Sequence, residues 1–235
     1  MPTVDQESGV WPRLYRMLAW LSPGFPVGSY SFSHGLEAAV ESGAVRDRNT
    51  VQNWICAILT WGSGRTDADI LRDAHRAAVD DDLAALAQTN ERGLAFRASA
   101  EMALETTAQG AAYLNTCLAA WPDAFLGNWA AALGDSGVCY PAVVGAATAR
   151  AGVPVDWALI GYLQAMAANL VSAGLRLGIM GQSDGQRVIA ALEPVIAEAV
   201  TSSLSRGPDD FGSATFAVEL ASMAHETQYT RLFRS

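Results

Sequence analysis

The sequence contains no lysine, so all 15 of its basic residues are arginine. A P-loop nucleotide-binding motif, a Schiff-base enzyme and a lysine general base each need a lysine, and the absence excludes all three. Acidic residues outnumber basic ones by 24 to 15, which gives a formal net charge of −9. Because nucleic acids bind to basic surfaces, this charge argues against a nucleic acid as a partner.

Cysteine and histidine are scarce, with three residues of each. Cys56, Cys117 and Cys139 are far apart and form no Cys-x-x-Cys pair, so neither a disulfide framework nor a zinc site is indicated. His34 and Glu37 could supply two metal ligands from one helix face, but no other histidine or cysteine lies close in sequence. A hydrogen-bonded contact is the simpler interpretation of that pair, and we expect neither a metal nor a cofactor.

Catalytic motifs are absent as well. The sequence has no Gly-x-Ser-x-Gly and no glycine-rich phosphate loop after a strand. His225-Glu226 resembles the start of a zinc-protease helix, but Tyr229 stands where the second histidine of His-Glu-x-x-His would be. We therefore expect a protein that is not an enzyme, and a helical enzyme with an unrecognised site is the alternative. The first residues lack the apolar core of a signal peptide, which favours the cytoplasm.

Alanine is abundant and β-branched residues are sparse, which favours helices. The sequence predicts an all-α single domain over residues 1–235, a bundle of about ten helices around a central helix at about 154–178. That helix has no charge over residues 157–175, and Asn169, Ser172 and Arg176 share one side of it. A nearly all-apolar helix with a narrow polar seam is typical of the centre of a bundle.

The same helix is long enough to cross a membrane, since about 20 mostly apolar residues suffice. Its apolarity comes largely from alanine and glycine, Asn169 lies in its middle, and we recognise no second stretch of this kind. We expect no membrane association, and a single-span membrane protein is the alternative.

Two groups of charged residues are interpreted as surface features. Asp67, Asp69, Asp73 and His75 could suggest a metal site, but they are spread around one predicted helix. Neighbouring arginines can neutralise the aspartates, and this indicates a solvated face. Arg97 and Glu101 are four residues apart on another predicted helix, and we expect them to pair with each other on the surface.

Three blocks of the sequence closely resemble signatures of the UreF family of urease accessory proteins. The first, the Pro/Gly block (residues 25–37), reads Phe25-Pro-Val-Gly-Ser-Tyr-Ser-Phe-Ser-His-Gly-Leu-Glu37. It follows the family pattern Leu-Pro-Val-Gly-Gly-Phe-x-x-Ser-x-Gly-Leu-Glu, from which Phe25 and Ser29 depart, and Tyr30 stands at the position of the aromatic Phe. The second is a turn that reads Arg176-Leu-Gly and then Gly181-Gln-Ser-Asp-Gly-Gln186. The third, the C-terminal tail (residues 225–235), is similar to the family ending His-Glu-x-x-x-x-Arg-Leu-Phe-x-Ser.

The resemblance covers most of the chain and implies both a fold and a function. Members of the family are all-α adaptors used in assembling the nickel centre of urease. The resemblance implies binding to the accessory protein UreD, also called UreH, and recruitment of the GTPase UreG. Through that complex the protein would act on apo-urease in nickel insertion. It also implies a homodimer, with which the apolar first helix is compatible.

The resemblance further implies that residues of the three blocks face these partners. For the turn, a purely structural role in reversing the chain is the alternative. For the tail, physics alone allows two outcomes, because an aromatic and aliphatic ending can fold back on the body or dock on a partner. The implied residues are Pro26, Gly28, Tyr30, Ser33, His34 and Glu37 in the Pro/Gly block, Arg176, Gln182, Asp184 and Gln186 at the turn, and His225, Glu226, Tyr229, Arg231, Leu232, Phe233, Arg234 and Ser235 in the tail.

Overall fold

The structure is a computed structural model that describes residues 9–134 and 136–234. Every regular element in those ranges is a helix, which confirms the all-α prediction. The α-helices are α1 (Val10–Trp20), α2 (Leu36–Glu41), α3 (Arg48–Trp61), α4 (Ser63–Val79), α5 (Leu83–Ala95), α6 (Ala100–Ala120), α7 (Ala124–Leu133), α8 (Tyr140–Arg150), α9 (Val155–Arg176), α10 (Gln182–Ser205) and α11 (Phe216–His225), with short 3-10 turns at Ser29–Ser31 and Pro208–Asp210.

Side chains that precede the helices determine where several of them begin. Asp47, Asp82, Ser99 and Asp123 each stand at an N-cap and accept a hydrogen bond from a backbone N–H of the first helical turn. Such caps satisfy donors that have no partner inside the helix. Helix α9 ends just before Gly178, whose φ of +73° is a left-handed conformation that favours glycine.

Helix α4 lies in the core, with 12 of its 17 residues buried. It packs closely against α8, where Gly145 permits the contact: a Cβ atom at this position would lie 2.3 Å from the Leu71 carbonyl oxygen. A single cluster of buried apolar side chains draws on every one of the helices named above. Helix α9, which the sequence places at the centre, has 9 of its 22 residues buried.

Two helices, α9 and α10, are long and apolar enough to cross a membrane by length and composition alone. The expectation that the chain has no second such stretch is therefore wrong. From Val188 to the end of α10, only Glu193 and Glu198 carry charge, and the polar residues at the start of the helix obscured this in the sequence. In the most apolar 18-residue stretch of α9, 50% of the stretch is buried inside the protein. In the corresponding stretch of α10, 28% is buried.

Candidate partner-binding surface

The C-terminal tail folds back onto the body of the protein. The Phe233 side chain is buried, with 4% of its surface exposed, and the Arg176 guanidinium lies 4.3 Å from the centre of its ring. The backbone N–H of Arg234 donates to the Ser31 carbonyl oxygen at 2.7 Å. The tail therefore contacts both the Pro/Gly block and Arg176 at the end of α9.

A group of charged side chains, the His225 cluster (His225, Glu37, Glu101 and Arg231), holds the tail in place; all but the exposed Arg231 are buried. His225 is fully buried, and its two ring nitrogens lie 2.9 Å from Glu37 Oε2 and 2.8 Å from Glu101 Oε2. The Glu37 carboxylate also accepts the backbone N–H groups of Leu232 at 2.7 Å and Phe233 at 2.9 Å. Arg231 donates to the other oxygen of Glu101 at 3.0 Å.

Glycine at position 35 allows this cluster to form. Gly35 has a φ of +77° and precedes α2, and a Cβ atom there would lie 2.9 Å from the backbone nitrogen of Ser222 in α11. A side chain would therefore separate α2 from α11. The close approach of the two helices brings Glu37 next to His225.

The polar seam of α9 contacts the Pro/Gly block. Asn169 donates to the Phe32 carbonyl oxygen at 3.3 Å, and Arg176 donates to the Tyr30 carbonyl oxygen. Burial lowers the pKa of Arg176 from its ordinary value. The seam thus binds the backbone of the block and leaves the Tyr30 side chain 70% exposed.

The predicted site residues divide into buried and exposed groups. In the Pro/Gly block and the tail, Ser33, His34, Glu37, His225 and Phe233 are buried, so they lie beneath the surface that a partner could touch. Gly28 and Asp184 are partly exposed, and Ser235 lies outside the described residues. The exposed residues are Pro26, Tyr30, Arg176, Gln182, Gln186, Glu226, Tyr229, Arg231, Leu232 and Arg234.

The turn before α10 is separate from the cluster. Asp184 pairs with Arg187 at 2.8 Å on the same helix. Among the described residues, no hydrogen bond or ion pair joins Gln182, Asp184 or Gln186 to the tail or the Pro/Gly block. The structure therefore unites Arg176 with the tail, but not the three residues that follow the turn.

Sequence reasoning did not assign Glu101 or the apolar residues of α11 to the candidate site. Phe216, Leu220 and Met223 are recognisable in sequence as an apolar stripe, and the structure shows that this stripe faces solvent. Their side chains are 74%, 64% and 46% exposed. Their spacing along the helix is the signal that could have placed them in the site, because the spacing puts all three on one face.

The expected surface pair between Arg97 and Glu101 is wrong. Glu101 binds His225 and Arg231, whereas Arg97 pairs with Asp67 of α4 at 2.9 Å with both side chains buried. Tyr162 donates a further hydrogen bond to Asp67 at 2.7 Å. Burial opposes the charge on Arg97, but the Asp67 carboxylate raises the pKa of the guanidinium above its usual range.

The solvated face expected for the α4 aspartates is also wrong for two of them. Asp67 and Asp69 are almost fully buried, and Arg206 binds both oxygens of Asp69 at 2.8 Å. The arginines that neutralise these two carboxylates come from other parts of the chain as well as from α4. Carboxylates that point in different directions from one helix can therefore still be buried, because each has its own arginine partner.

His34 does not pair with Glu37 in the structure. Its Nδ1 lies 3.1 Å from Glu105 Oε2, and its Nε2 lies 2.7 Å from the Ser63 hydroxyl oxygen. Within residues 9–134 and 136–234, no group of three or more histidine, cysteine, aspartate or glutamate side chains is arranged to hold a metal ion. The contacts of His34 are those of a hydrogen-bonded residue in the protein interior.

The titratable groups around the interior are poorly suited to nucleophilic chemistry. Burial raises the pKa of the Cys117 thiol to about 12, and burial also raises the pKa of Cys139. A cavity of about 260 Å³ beside the Pro/Gly block is lined by Tyr140 and Tyr162, and burial raises the pKa of both phenols. These thiols and phenols therefore remain protonated at neutral pH.

The fold and the surface define an all-α protein that exposes aromatic and aliphatic side chains beside a hydrogen-bonded tail, a composition typical of protein–protein contacts. The chain belongs to the UreF family of urease accessory proteins. The UreF family model matches residues 45–193.

Relatives match over nearly their whole length. The chain is 50% identical over 222 residues to the urease accessory protein UreF of Bradyrhizobium sp. (strain ORS 278). The aligned region covers 94% of this chain and 92% of the relative. The chain is 46% identical over 234 residues to the protein of the same name from Rhodopseudomonas palustris (strain TIE-1), covering 100% and 96%. The protein so named from Granulibacter bethesdensis is 46% identical over 222 residues, covering 94% of each chain.

Proposed function

We propose that this protein is a cytoplasmic adaptor, without catalytic activity of its own, that supports nickel insertion into apo-urease. It binds UreD, also called UreH, and recruits the GTPase UreG to that complex. The observation that carries the proposal is the near full-length similarity to proteins named urease accessory protein UreF. The family resemblance supplies the partners, and the surface around the tail supplies a place for them.

UreD covers the docking surface, which we define as Phe216, Leu220, Met223, Tyr229 and Leu232. The first three residues form one exposed stripe along α11. Tyr229 is fully exposed and Leu232 is 61% exposed, although both belong to a segment whose backbone is held in place. Exposed apolar groups on an ordered backbone lose little conformational entropy when a partner binds them, so they are suited to docking.

The buried site residues support docking indirectly. Glu37 and His225 have no surface to offer a partner, but their hydrogen bonds fix the tail that carries Tyr229 and Leu232. Gln182 and Gln186 are exposed on the first turn of α10 and form a second contact surface, separate from the tail.

The proposed function is tested by the nickel content of urease. Urease purified from cells that lack this chain is expected to contain little nickel, whereas cells given the chain again produce urease loaded with nickel. Metal analysis and urease activity report the two outcomes. Full nickel loading without the chain would contradict the proposal.

Homodimerisation is proposed through α1. Trp11, Tyr15 and Leu18 lie on one face of this helix and are 63%, 69% and 62% exposed. Leu18→Glu places a charge in that face, and we expect light scattering to show a change from the mass of a dimer to that of a monomer. Leu204→Glu changes another exposed leucine, on α10, and should leave the dimer intact. A monomeric parent protein, or a dimer that Leu18→Glu leaves unaffected, would refute this interface.

A further inference from the structure

His225 is in an unusual electrostatic position. It is fully buried on the last turn of α11, and each ring nitrogen faces a carboxylate oxygen at hydrogen-bonding distance. The charged groups that face it in the described part of the chain are Glu37 from α2, Glu101 from α6 and Arg231 from the tail, which reaches it through Glu101. No lysine can join them, because the sequence has none.

The geometry fixes the number of protons in the cluster. An ionised carboxylate only accepts hydrogen bonds, and a neutral imidazole has one N–H group. Two short contacts to ionised carboxylates therefore require two N–H groups, which only the imidazolium has. A neutral His225 ring next to one protonated carboxyl group would hold the same number of protons. If the cluster loses this extra proton, a ring nitrogen and a carboxylate oxygen face each other with lone pairs and no hydrogen between them.

The proton is coupled to the tail through Glu37. The carboxylate that faces His225 Nε2 also accepts the backbone N–H groups of Leu232 and Phe233. With the proton in place, the two carboxylates, the imidazolium and Arg231 sum to zero charge. Without it, the cluster carries an uncompensated negative charge on its two buried carboxylates, which is costly in a buried environment. Opening the tail relieves this cost because it brings the carboxylates into water.

We propose that the C-terminal tail is a proton-dependent latch, closed when the His225 cluster holds its extra proton and released when that proton is lost. The closed state binds one more proton than an open state in which the carboxylates are solvated and the ring is neutral. A solvated histidine is neutral above about pH 6.5. Raising the pH above that value therefore favours the open state, by up to about tenfold per pH unit.

Nitrogen NMR of the unmodified full-length chain tests the protonation state directly. The chain has only three histidines, so labelling histidine with ¹⁵N gives three ring systems. At neutral pH, the ring that His225→Gln removes is expected to show the two N–H signals of an imidazolium. Burial lowers the pKa of His75, so the ring of His75 is expected to be neutral. A neutral His225 ring with ionised Glu37 and Glu101, read from their side-chain ¹³C shifts, would overturn the proposal.

Hydrogen exchange of the tail tests the latch itself. After correction for intrinsic exchange, protection of the Leu232 and Phe233 amides is expected to fall as the pH rises from about 6.5 to 8.5. Glu37→Gln keeps the side-chain shape but removes the charge, and it is expected to lower protection by about tenfold or more at every pH and to flatten the dependence. Glu219→Gln alters a partly exposed carboxylate on α11, the helix that carries His225, and serves as the control. Tail protection independent of pH in the parent protein and in the control would refute the latch.

The effect of the latch on docking rests on the proposed function, because the same segment carries Tyr229 and Leu232. Both measurements above use the isolated chain, so they can fail while UreD binding succeeds. Equally, a chain that binds no UreD could still show the imidazolium and the pH-dependent tail. The two proposals are therefore refuted by different results.

Discussion

Replacing Arg97 with methionine is expected to lower the free energy of unfolding by about 3–5 kcal/mol. The Arg97 and Asp67 side chains are only 7% and 5% exposed, and their nitrogen and oxygen atoms lie 2.9 Å apart. Methionine replaces the aliphatic part of the arginine side chain but carries no charge, so Asp67 would remain buried without its ionic partner. Tyr162 would still donate one hydrogen bond to Asp67, which is too little to replace a full positive charge.

Chemical denaturation followed by circular dichroism measures this loss. Arg187→Met is the matched control, because Arg187 pairs with Asp184 on the surface with side chains 65% and 38% exposed. Such a pair contributes about 0–1 kcal/mol. The double variant Arg97→Met with Asp67→Asn should recover part of the lost stability, since it no longer buries an unpaired charge. Equal losses for Arg97→Met and Arg187→Met would contradict the assignment of a buried pair.

Leu220→Glu is expected to weaken binding to UreD by at least about 30-fold, the effect of losing a contact worth about 2 kcal/mol. Leu220 lies in the middle of the α11 stripe and is 64% exposed, so the folded chain can accept the glutamate. In the complex, the same glutamate would be buried against an apolar partner. The dissociation constant measured by calorimetry reports the change, and circular dichroism shows whether the helices are intact.

The tail offers an independent variant of the same surface. Tyr229→Ala removes a fully exposed side chain and leaves the hydrogen bonds of Glu37 in place, so it should weaken UreD binding without loosening the tail. Deleting residues 229–235 would be less informative, because it would also remove Phe233 from the core. Leu204→Glu, on α10, is the control for an added surface charge. If it weakened binding as much as Leu220→Glu, the docking surface would be assigned wrongly.

The helices are well predicted from the sequence because their signals are local. The helix expected at about 154–178 is found at Val155–Arg176, bounded by Pro154 and by a glycine with positive φ. Its polar seam is visible in sequence, and the structure shows that the seam binds the backbone of the Pro/Gly block. The seam could be found from sequence, but the segment that it binds could not.

The charged pairs could not be predicted, because they depend on how the helices pack. Arg97 pairs with a residue 30 positions away, and Glu101 pairs with a residue 124 positions away, although the two stand four residues apart. A spacing of four residues indicates only that two side chains share a helix face. It does not show whether that face is buried or which partner another helix brings.

The C-terminal tail could be predicted only in part. The sequence left open whether the tail folds back on the body or docks on a partner, and the structure shows that some of its side chains are buried and others are exposed. Phe233 is buried in the body, whereas Tyr229 and Leu232 face solvent. An aromatic and aliphatic ending alone does not reveal which of these side chains turns inward, since that depends on Glu37 and Arg176 from distant parts of the chain.

The most direct test of the account is whether the tagged full-length chain captures UreD from a mixture of purified proteins, and whether the resulting complex then captures UreG. We expect UreD to co-purify with the parent chain, to be lost with Leu220→Glu and to be retained with Leu204→Glu, while UreG appears only when UreD is bound. A well-folded parent chain that captures neither protein would contradict the claim that this bundle of helices acts by holding other proteins.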